Sequence, residues 1–565
     1  MKFKDFTYER PSIENVKAQM KQLIKSFQEA ANAEQQISTI KKINKFREEY
    51  DSAQMIAHIR HTLDTTDPFY EKEYEFFNTF GPEYENVEAD YYRALVETPF
   101  KAELEKRFGK QLFHIAESKV KTISEVVMDL LAEENRLTSN YQKLIANAKV
   151  LFEGEEKSLA QIDKYIISNS SRTVRKQATE AKYEFFSKNQ EEFDKLFDDL
   201  VKVRTRIAKE LGFSNFTELA YLRWNRSDWD AEAARVFREN VLTHIVPLAS
   251  KIVENHGKRI GVENVKIYDE KVQFLEGNPI PKGDPEWIIE QGRKLYSELS
   301  LETKRFYDEM TERELFDLVH KPGKAYTGYC TFLWKQKAPY VFANFNGTSN
   351  DIRVLVHEVG HAFQAYNALQ VQEQPEYFFP TMEASEIFSM SMEFFVYPWL
   401  DYFFKEDAEK HKFVHLADSI VKMPRLCAGD EFQHEVYANP DLTPEERRQL
   451  WSEIEKKYLP YRDHDGIPYL VEGGIWQEVI HIYEVPFYLL DYVLAQVCAL
   501  EFWRMSNENF EKAWETYVRL CKIGGSKSFL ELLKEGNLQS PFEEKTFVAL
   551  EKFVGSQLEK MEQSL

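Results

Sequence analysis

Six residues near the middle of the chain, Val356 to His361, constrain the fold more than any other stretch. They place His357 and His361 four positions apart, with Glu358 directly after the first histidine. On an α-helix, residues i and i+4 share a face, so both imidazoles can reach one metal ion. Zinc binds neutral imidazole nitrogen, and a catalytic zinc keeps one coordination position open for water. The stretch therefore predicts a helix that presents two zinc ligands, His357 and His361.

Glu358 completes the pattern His-Glu-x-x-His and lies on the neighbouring part of the same helical face. From there its carboxylate can take a proton from water activated by zinc, which is the role of a general base. With 13 histidines in 565 residues, the pattern arises by chance in roughly a few per cent of chains of this size. A helix that merely carries two surface histidines is the alternative, and the surrounding sequence has to decide between the two.

A third zinc ligand is expected on the apolar segment from Met382 to Tyr397, which predicts a buried helix. Glu383, Glu386 and Glu393 lie broadly on one face of that helix, and buried carboxylates need partners. Glu386 is the first choice as ligand, and Glu383 is the alternative. Glu393, two turns further on, is expected to orient His357 or His361 as a hydrogen-bond acceptor. Carboxylates that simply reach solvent or a basic neighbour are the competing interpretation.

A segment nearer the C-terminus carries candidate donors for a reacting oxygen. Tyr488 and Tyr492 are four residues apart and share a helical face, and His481 lies one or two turns earlier. Hydroxyl and imidazole donors stabilise the negative oxygen of a tetrahedral intermediate. The segment predicts that His481 and Tyr488 bind this oxygen or the substrate backbone, with Tyr492 as a further candidate. Tyr483 stays open as a substitute, and aromatic packing is the alternative for all of them.

The remaining histidines are expected to have no catalytic role. His411 and His415 are also four residues apart, but the charged run from Lys405 to Lys412 predicts an exposed helix with both histidines on the surface. His434 and His464 are interpreted as structural.

The residues just before the histidine pair predict a strand followed by a helix start. Ala338 to Asn346 is rich in β-branched and aromatic residues. Thr348 with Asp351 resembles a capping box, so the helix should begin about two turns before His357. Such a strand could bind an extended peptide by edge pairing, or be an ordinary core strand. Gly360 costs about 1 kcal/mol relative to Ala within a helix, which the close approach of substrate, of another backbone or of a packed neighbour would explain.

The first half of the chain predicts helix after helix, including Met20 to Phe46, Lys101 to Phe113 and a block from Ser158 to Leu211. A soft boundary near residue 160 divides an N-terminal helical region, 1–160, from a catalytic domain, 161–565. No linker rich in Pro or Ser marks this boundary.

The amino-acid composition argues against some classes of binding partner. Asp and Glu total 94 against 73 Lys and Arg, which gives a net charge of −21. This acidity argues against nucleic-acid and anionic-membrane partners. Four widely spaced cysteines fit a reducing compartment, and the start of the chain lacks the apolar run of a signal peptide. The apolar stretch from Val485 to Trp503 contains acidic residues and predicts a buried helix. A cytoplasmic location is therefore expected.

Taken together, these segments resemble one family of enzymes. His357-Glu-Val-Gly-His361, followed 25 residues later by Glu386 and then by Glu393, is similar to the zinc oligopeptidases of the thimet oligopeptidase and oligoendopeptidase F family. The segment from His481 to Tyr492 resembles that family's histidine and tyrosine segment, and Gly524-Gly525-Ser526 resembles its C-terminal signature. The similarity extends from about residue 160 to 545 and is closest to the bacterial oligoendopeptidase F and Pz-peptidase branch.

The resemblance implies a mostly α fold, a two-lobed helical ellipsoid with a deep substrate groove and one zinc ion on its floor. It implies that Glu386 is a zinc ligand and that the substrates are short unstructured oligopeptides cleaved inside the cell. The function expected is that of a zinc endopeptidase with Glu358 as general base. A zinc exopeptidase that fixes a peptide's terminal charge, and a non-enzymatic helical peptide-binding protein, are the alternatives. The oligomeric state stays open.

Overall fold

Helices dominate the computed structural model, which describes residues 1–325 and 327–565. They take up 72% of the chain, and the strands of the described residues are confined to a two-stranded hairpin and a three-stranded sheet. The prediction of a mostly α fold with a small β element next to the helix of His357 is confirmed.

The first 312 residues form the longer run of helices. Their bounds are Ile13–Gln28, Ala33–Leu63, Pro68–Val96, Lys101–Phe108, Gln111–Thr122, Met128–Ala146, Leu159–Ser168, Arg172–Lys188, Gln190–Glu210, Phe216–Arg223, Ala231–Asn240, Val246–Arg259, Pro285–Leu299 and Leu301–Glu312. A π-helical turn, Val241–Ile245, joins two of them, and the hairpin strands Val150–Phe152 and Glu155–Lys157 interrupt the series.

The second half carries the sheet and the remaining helices. The strands are Phe316–Val319, Tyr329–Leu333 and Ala338–Phe345. The helices are Ser349–Val371, Met382–Phe395, Asp401–Phe404, Ala408–Ala438, Pro444–Tyr458, Pro468–Val471, Ile480–Glu484, Leu489–Glu508, Phe510–Ile523, Phe529–Gly536 and Glu544–Gln563. Short 3₁₀ turns at Pro375–Tyr377, Tyr397–Trp399 and Gly524–Ser526 connect several of these helices.

Several long helices predicted from periodicity are broken in the structure. The stretch from Met20 to Phe46 is divided near Asn32, whose side chain accepts a hydrogen bond from the backbone N–H of Gln35 and so starts a new helix. The stretch from Lys101 to Phe113 is divided at Gly109, whose φ of 89° no helix accommodates. Apolar periodicity continues across such breaks because both helices bury the same side, so the pattern alone does not reveal them.

The inner strand, Ala338–Phe345, is a core strand. It pairs with Phe316–Val319 in parallel on one side and with the edge strand, Tyr329–Leu333, in antiparallel on the other. Both of its hydrogen-bonding edges are therefore occupied, and the prediction that this strand binds a peptide by edge pairing is wrong. In the described part of the sheet, a free edge belongs to Tyr329–Leu333.

The histidine helix, Ser349–Val371, begins about two turns before His357, as predicted. Thr348 stands at its N-cap without accepting a hydrogen bond there. Instead, the Asp351 carboxylate accepts from the backbone N–H groups of Asn346 and Gly347, at 2.7 to 3.1 Å. The acidic side chain thus holds the turn between strand and helix, and the capping differs from the box that the sequence predicts.

The histidine helix packs closely on the glutamate helix, Met382–Phe395, at Gly360. A Cβ atom at that position would lie 2.7 Å from both the carbonyl oxygen of Phe388 and the Cα of Ser389. The glycine therefore permits contact between two backbones, which is one of the explanations that the sequence leaves open. This contact sets the distance between the two helices on which the predicted ligands lie.

The apolar helix Leu489–Glu508 is buried against the glutamate helix. Its Asp491 accepts a hydrogen bond from Arg226 at 2.6 Å, and both side chains are fully buried. Among residues 1–325 and 327–565, no helix combines the length and apolar composition needed to cross a membrane.

The N-terminal helices are joined to the rest of the chain by buried polar contacts. Arg47 donates to Glu376 at 2.7 Å, and the Tyr377 hydroxyl donates to the carbonyl oxygen of Phe108 at 2.7 Å. The domain boundary near residue 160 stays a prediction.

Two glycines inside helices should respond to substitution in opposite ways. Gly360→Ala should destabilise the protein by about 1–3 kcal/mol, because its Cβ overlaps the glutamate helix. Gly555→Ala should stabilise it by about 0.5–1 kcal/mol, because its Cβ would meet no described atom within 4 Å apart from its own stretch of helix backbone, and alanine favours a helix. Thermal unfolding of the two variants measures both effects, and equal Tm values for Gly360→Ala and the wild type would contradict the packing described above.

Candidate active site

Three predicted ligands come together where the histidine helix crosses the glutamate helix. Oε2 of Glu386 lies 3.3 Å from Nε2 of His357 and 3.4 Å from Nε2 of His361. One ligand atom from each of the three residues lies within 4.8 Å of the others. Glu386 is 3% exposed, so its carboxylate depends on these imidazoles, or on a cation between them, for compensation.

The spacing of these atoms fits a tetrahedral zinc ion. Donor atoms bound at about 2.0–2.1 Å to such an ion lie roughly 3.3 Å from one another, close to the separations observed. Two imidazole nitrogens and one carboxylate oxygen are also a donor set that zinc accepts while leaving a fourth position for water. His357, His361 and Glu386 therefore have the chemistry and the geometry to hold the metal.

Glu393 orients His357. The Nδ1–H of His357 donates to Oε1 of Glu393 at 2.8 Å, and this contact turns Nε2 of the ring toward Glu386. Oε2 of Glu393 contacts Nε2 of His415 at 2.6 Å and Nε of Arg353 at 3.4 Å. The carboxylate is thus held from three sides, and it lies where the sequence places it.

Hydroxyl groups form hydrogen bonds with Glu386 and lie next to His361. Ser389 donates to Oε2 of Glu386 at 2.9 Å, and the Tyr488 hydroxyl donates to Oε1 at 2.6 Å. The hydroxyl of Ser385 lies 3.3 Å from Nδ1 of His361. Each of the three ligands therefore has a hydrogen-bond partner that restricts its rotation.

The carboxylates and imidazoles of this group favour each other's charged forms. Burial favours the neutral acid, but the charged imidazoles of His361 and His357 outweigh it and hold the pKa of Glu386 well below its ordinary value. Burial likewise lowers the pKa of His357, but hydrogen bonds with Glu386 and Glu393 outweigh this effect and raise it to about 10. The site is therefore organised around a carboxylate anion and positive charge, which a metal ion can supply.

Glu358 lies beside this group without taking part in it. Burial raises the pKa of its carboxyl, against the opposing effect of His357 and His361. A carboxylate with a raised pKa is a better proton acceptor near neutral pH, as a general base requires. The edge strand packs against the histidine helix, and burial together with the charge of Glu358 raises the pKa of Cys330 on that strand.

His481, Tyr488 and Tyr492 form one aromatic cluster. The His481 ring centre lies 5.8 Å from each tyrosine ring, and the two tyrosine rings are 4.7 Å apart. Trp224 stacks on the outer side of Tyr488 at 5.4 Å. We call His357, His361 and Glu386 the metal group. Of the three aromatic residues, Tyr488 contacts this group directly, through its hydrogen bond to Glu386.

The backbone before Tyr488 is held in an uncommon conformation. Phe487 has a φ of 68°, which is a left-handed conformation that costs a non-glycine residue about 1–3 kcal/mol. Its N–H donates to Gln433 at 2.9 Å, and its carbonyl oxygen accepts from Arg226 at 2.7 Å. These two buried contacts stabilise the turn that presents Tyr488.

Two alternatives left open by the sequence lie away from the metal group. Glu383 is fully buried and accepts a hydrogen bond from Nε1 of Trp229 at 3.0 Å. Tyr483 stacks on Tyr141 at 3.9 Å, and its hydroxyl donates to the carbonyl oxygen of Phe193. Neither side chain is brought to the candidate ligands.

The prediction that His411 and His415 are surface residues is wrong. His411 is 7% exposed and stacks on Phe404 at 3.9 Å. His415 contacts Glu393, and its Nδ1 lies 2.7 Å from the Tyr397 hydroxyl. The charged residues around them occupy the other faces of the Ala408–Ala438 helix, so counting charges along the sequence concealed a buried face. His434 contacts Tyr221 and His464 contacts Glu455, contacts that fit structural roles.

Sequence reasoning missed Arg353, Ser389 and His415. Arg353 lies four residues before His357, on the same helical face, and the same i, i+4 spacing that identified the histidines could have found it. The spacing of Ser389, three residues after Glu386, carried a similar signal. Nothing local in the sequence connects His415 to Glu393, because their contact depends on how two distant helices pack.

Comparison with known proteins agrees with this geometry. The model of the peptidase M3 N-terminal domain matches residues 3–123, and the model of peptidase family M3 matches residues 289–551. A solved structure of Pz peptidase A with an inhibitor is 51% identical, covers 98% of this chain and 99% of its own, and superposes with a TM-score of 0.93. The chain belongs to peptidase family M3.

More distant M3 relatives extend the comparison. Oligopeptidase PepF of Bacillus subtilis is 21% identical over 90% of this chain and 78% of its own length. An oligoendopeptidase F homolog of Borreliella burgdorferi is 25% identical over 72% of this chain and 70% of its own. Membership of M3 makes this protein a metallopeptidase, and the resemblance to the oligoendopeptidase F and Pz-peptidase branch is confirmed.

Two glutamates on one helix provide a matched test of the ligand set. Glu386→Gln should weaken zinc binding by more than about a hundredfold, because it removes a charged donor rather than an outer partner. Glu383→Gln should leave zinc affinity unchanged, since Glu383 contacts Trp229 instead. Competition with a chromophoric chelator measures both affinities, and a large loss in Glu383→Gln would show that the ligand set is misassigned.

Proposed function

We propose that this M3 metallopeptidase is a zinc-dependent endopeptidase that hydrolyses short, unstructured oligopeptides. One observation carries the proposal: Glu358 and the Tyr488 hydroxyl both lie beside the group formed by His357, His361 and Glu386. A proton acceptor and a hydrogen-bond donor therefore stand next to the residues that would hold one zinc ion per chain. The names of the M3 relatives, oligopeptidase and oligoendopeptidase, support peptides as the substrate class.

Zinc and the protein's side chains would supply different parts of the reaction. When bound by His357, His361 and Glu386, zinc supplies Lewis acidity that activates water and polarises a carbonyl oxygen. Glu358 accepts a proton from the attacking water and returns it to the leaving amine, which is the work of one carboxylate acting first as base and then as acid. Glu393 keeps the ring of His357 in one orientation throughout.

The aromatic cluster handles the negative charge that develops on the substrate oxygen. We assign Tyr488 and His481 as donors to this oxygen or to the substrate backbone, with Tyr492 as a further candidate. Preorganised donors of this kind contribute about 2.7–4 kcal/mol each when aimed at an oxyanion. The Tyr488 hydroxyl lies beside the ligand group, where it donates to Glu386 in the absence of substrate, and it would turn this proton toward the substrate oxygen while Trp224 restricts its ring.

Access to the site should select the substrate. We propose that the zinc lies on the floor of a deep groove between two helical lobes, which excludes folded proteins and admits short peptides. Such an enzyme would take part in peptide turnover in the cytoplasm. An exopeptidase on the same chemistry would require a group that fixes the terminal charge next to the scissile bond. Cleavage of one peptide with free and with blocked ends distinguishes the two activities.

Replacing the proposed base should abolish turnover without removing the metal. Glu358→Gln should lower kcat by about 10²–10⁴, since proton transfer by a positioned side chain contributes that much. Zinc content measured by atomic absorption should be unchanged, because Glu358 is not in the ligand group. Hydrolysis at the wild-type rate in the zinc-loaded variant would rule out this mechanism, and loss of activity on chelation with recovery on adding zinc is the first control.

A pair of tyrosines tests the oxyanion assignment. Tyr488→Phe should lower kcat by about 10²–10³ with a smaller change in KM, because the lost hydroxyl acts on the transition state. Tyr483→Phe removes a hydroxyl from the same segment but away from the metal group, and it should leave kcat unchanged. Steady-state kinetics on one quenched fluorescent peptide compares the two, with zinc content measured for each. Equal kcat values for Tyr488→Phe and the wild type would remove Tyr488 from the mechanism.

A further inference from the structure

A cavity of about 500 Å³ separates the N-terminal helices from the part of the chain that carries the metal group. Its walls contain four carboxylates, Asp51, Glu85, Glu88 and Glu376. Two cations, Arg47 and Lys119, also line it. The cavity therefore contains more acidic than basic groups, so its two cations cannot pair with all four carboxylates.

Two of the carboxylates are incompletely paired. Arg47 is shared between Glu88 and Glu376, at 2.7 Å from each. Glu376 also accepts from Tyr92, but its second oxygen, Oε2, is buried and has no hydrogen-bond partner among residues 1–325 and 327–565, and its side chain is 5% exposed.

Asp51 is less well paired still. Its one hydrogen bond in the described part of the chain is a long one, 3.5 Å, from the Tyr84 hydroxyl. Burial, together with the charge of Glu88, raises the pKa of Asp51 to about 8. An unpaired carboxylate oxygen in a buried or half-buried position is costly, so half-buried Asp51 and the buried Oε2 of Glu376 favour the entry of a positive group.

The edge strand connects this cavity to the metal group. Cys330 lies near Glu358, and side chains two residues apart on a strand point to the same side. Phe332 follows Cys330 at that interval, Trp334 lies in the turn just after the strand, and both line the cavity. At about 3.3 Å per residue, Phe332 lies roughly 7 Å further along the strand direction, and Trp334 lies beyond the end of the strand. The cavity is therefore about two to four residues of extended peptide away from Glu358.

A second path leads to the same cavity from the aromatic cluster. Asn225 lines the cavity, and its neighbour Trp224 stacks on Tyr488 at 5.4 Å. The edge strand thus connects Glu358, the proposed base, to the cavity, and Trp224 connects Tyr488, the proposed oxyanion donor, to it. A peptide bound at the metal group could therefore extend into the cavity.

The direction of the edge strand decides which part of the peptide reaches the cavity. Tyr329–Leu333 runs from Glu358 toward the cavity, and no described strand pairs with its outer edge. A peptide bound in antiparallel runs the opposite way, so residues before the scissile bond would occupy the cavity. A parallel peptide would bring its C-terminal carboxylate against four acids, which repulsion disfavours.

We propose that this acidic cavity binds a cationic nitrogen of the substrate about two to four residues before the scissile bond. The nitrogen is either the N-terminal ammonium of the peptide or the side chain of a Lys or Arg. The inference rests on the peptidase function proposed above and defines its substrate class further. Charge-assisted hydrogen bonds to Asp51 and Glu376 would supply the affinity.

Binding to an inactive enzyme tests the cavity without relying on turnover. The zinc-loaded Glu358→Gln protein is titrated with a C-terminally labelled nonapeptide that contains no Lys or Arg, with its N-terminus free or acetylated, and anisotropy gives Kd. Acetylation should raise Kd about tenfold, because a hydrogen bond between charged groups is lost. A Lys introduced into the acetylated peptide before the scissile bond should restore binding if the side chain is the source of the cation.

Asp51→Asn in the same background should remove most of the difference between free and acetylated peptides. Its Tm should not fall, because the Asp51 carboxyl, with a pKa of about 8, is largely neutral near pH 7, as the amide of Asn is. Asp90→Asn is the matched control, since Asp90 forms an exposed ion pair with Arg93 outside the cavity. Equal Kd values for the free, the acetylated and the Lys-containing acetylated peptides would overturn the proposal, and so would a full cation-dependent difference retained in Asp51→Asn.

Cleavage by the wild type separates failure of this inference from failure of the peptidase function. If both peptides are cleaved with the same KM, the cavity has no such role and the peptidase function stands. If the zinc-loaded enzyme cleaves neither, the peptidase function fails while the binding titration still reports on the cavity. Mass spectrometry of the products should place the cation two to four residues before the cleaved bond, and random placement would contradict the proposal.

Discussion

The burial of three carboxylates on one helix is the constraint on which the rest of this structure depends. Each carboxylate would be costly alone, and each has a different compensation. Glu383 accepts a hydrogen bond from Trp229, Glu386 faces two imidazoles, and Glu393 contacts His357, His415 and Arg353. Because the three groups lie on one face within three turns, the elements that supply these partners must converge on the glutamate helix.

This convergence explains why the site combines segments that are distant in sequence. The histidine helix can approach closely enough only because Gly360 presents no side chain to Phe388 and Ser389. The tyrosine segment reaches the same ligands from another side, through the Tyr488 hydroxyl. Ligands, base and candidate oxyanion donors therefore depend on a single packing arrangement rather than on one contiguous motif.

The predictions that succeeded rest on local geometry. Spacing along a helix puts His357 and His361 on one face, and Glu386 and Glu393 on one face, whatever the tertiary fold, so the sequence could propose these side chains together. The start of the histidine helix was found for the same reason. The positions of helix breaks, the central place of the inner strand and the burial of His411 and His415 depend on how remote elements pack. The charged residues around His411 and His415 led to a wrong prediction of exposure, because only one face of their helix packs against the core.

Arg226 joins the two halves of the site. Its guanidinium is fully buried, binds both Asp491 and the carbonyl oxygen of Phe487, and lies over the ring of Trp229, which in turn contacts Glu383. The metal-ligand helix and the tyrosine turn are consequently fastened together by an interaction that water does not reach. Separating the metal-ligand helix from the tyrosine turn would leave a buried charge without its partner, so this part of the site should stay together when a peptide enters.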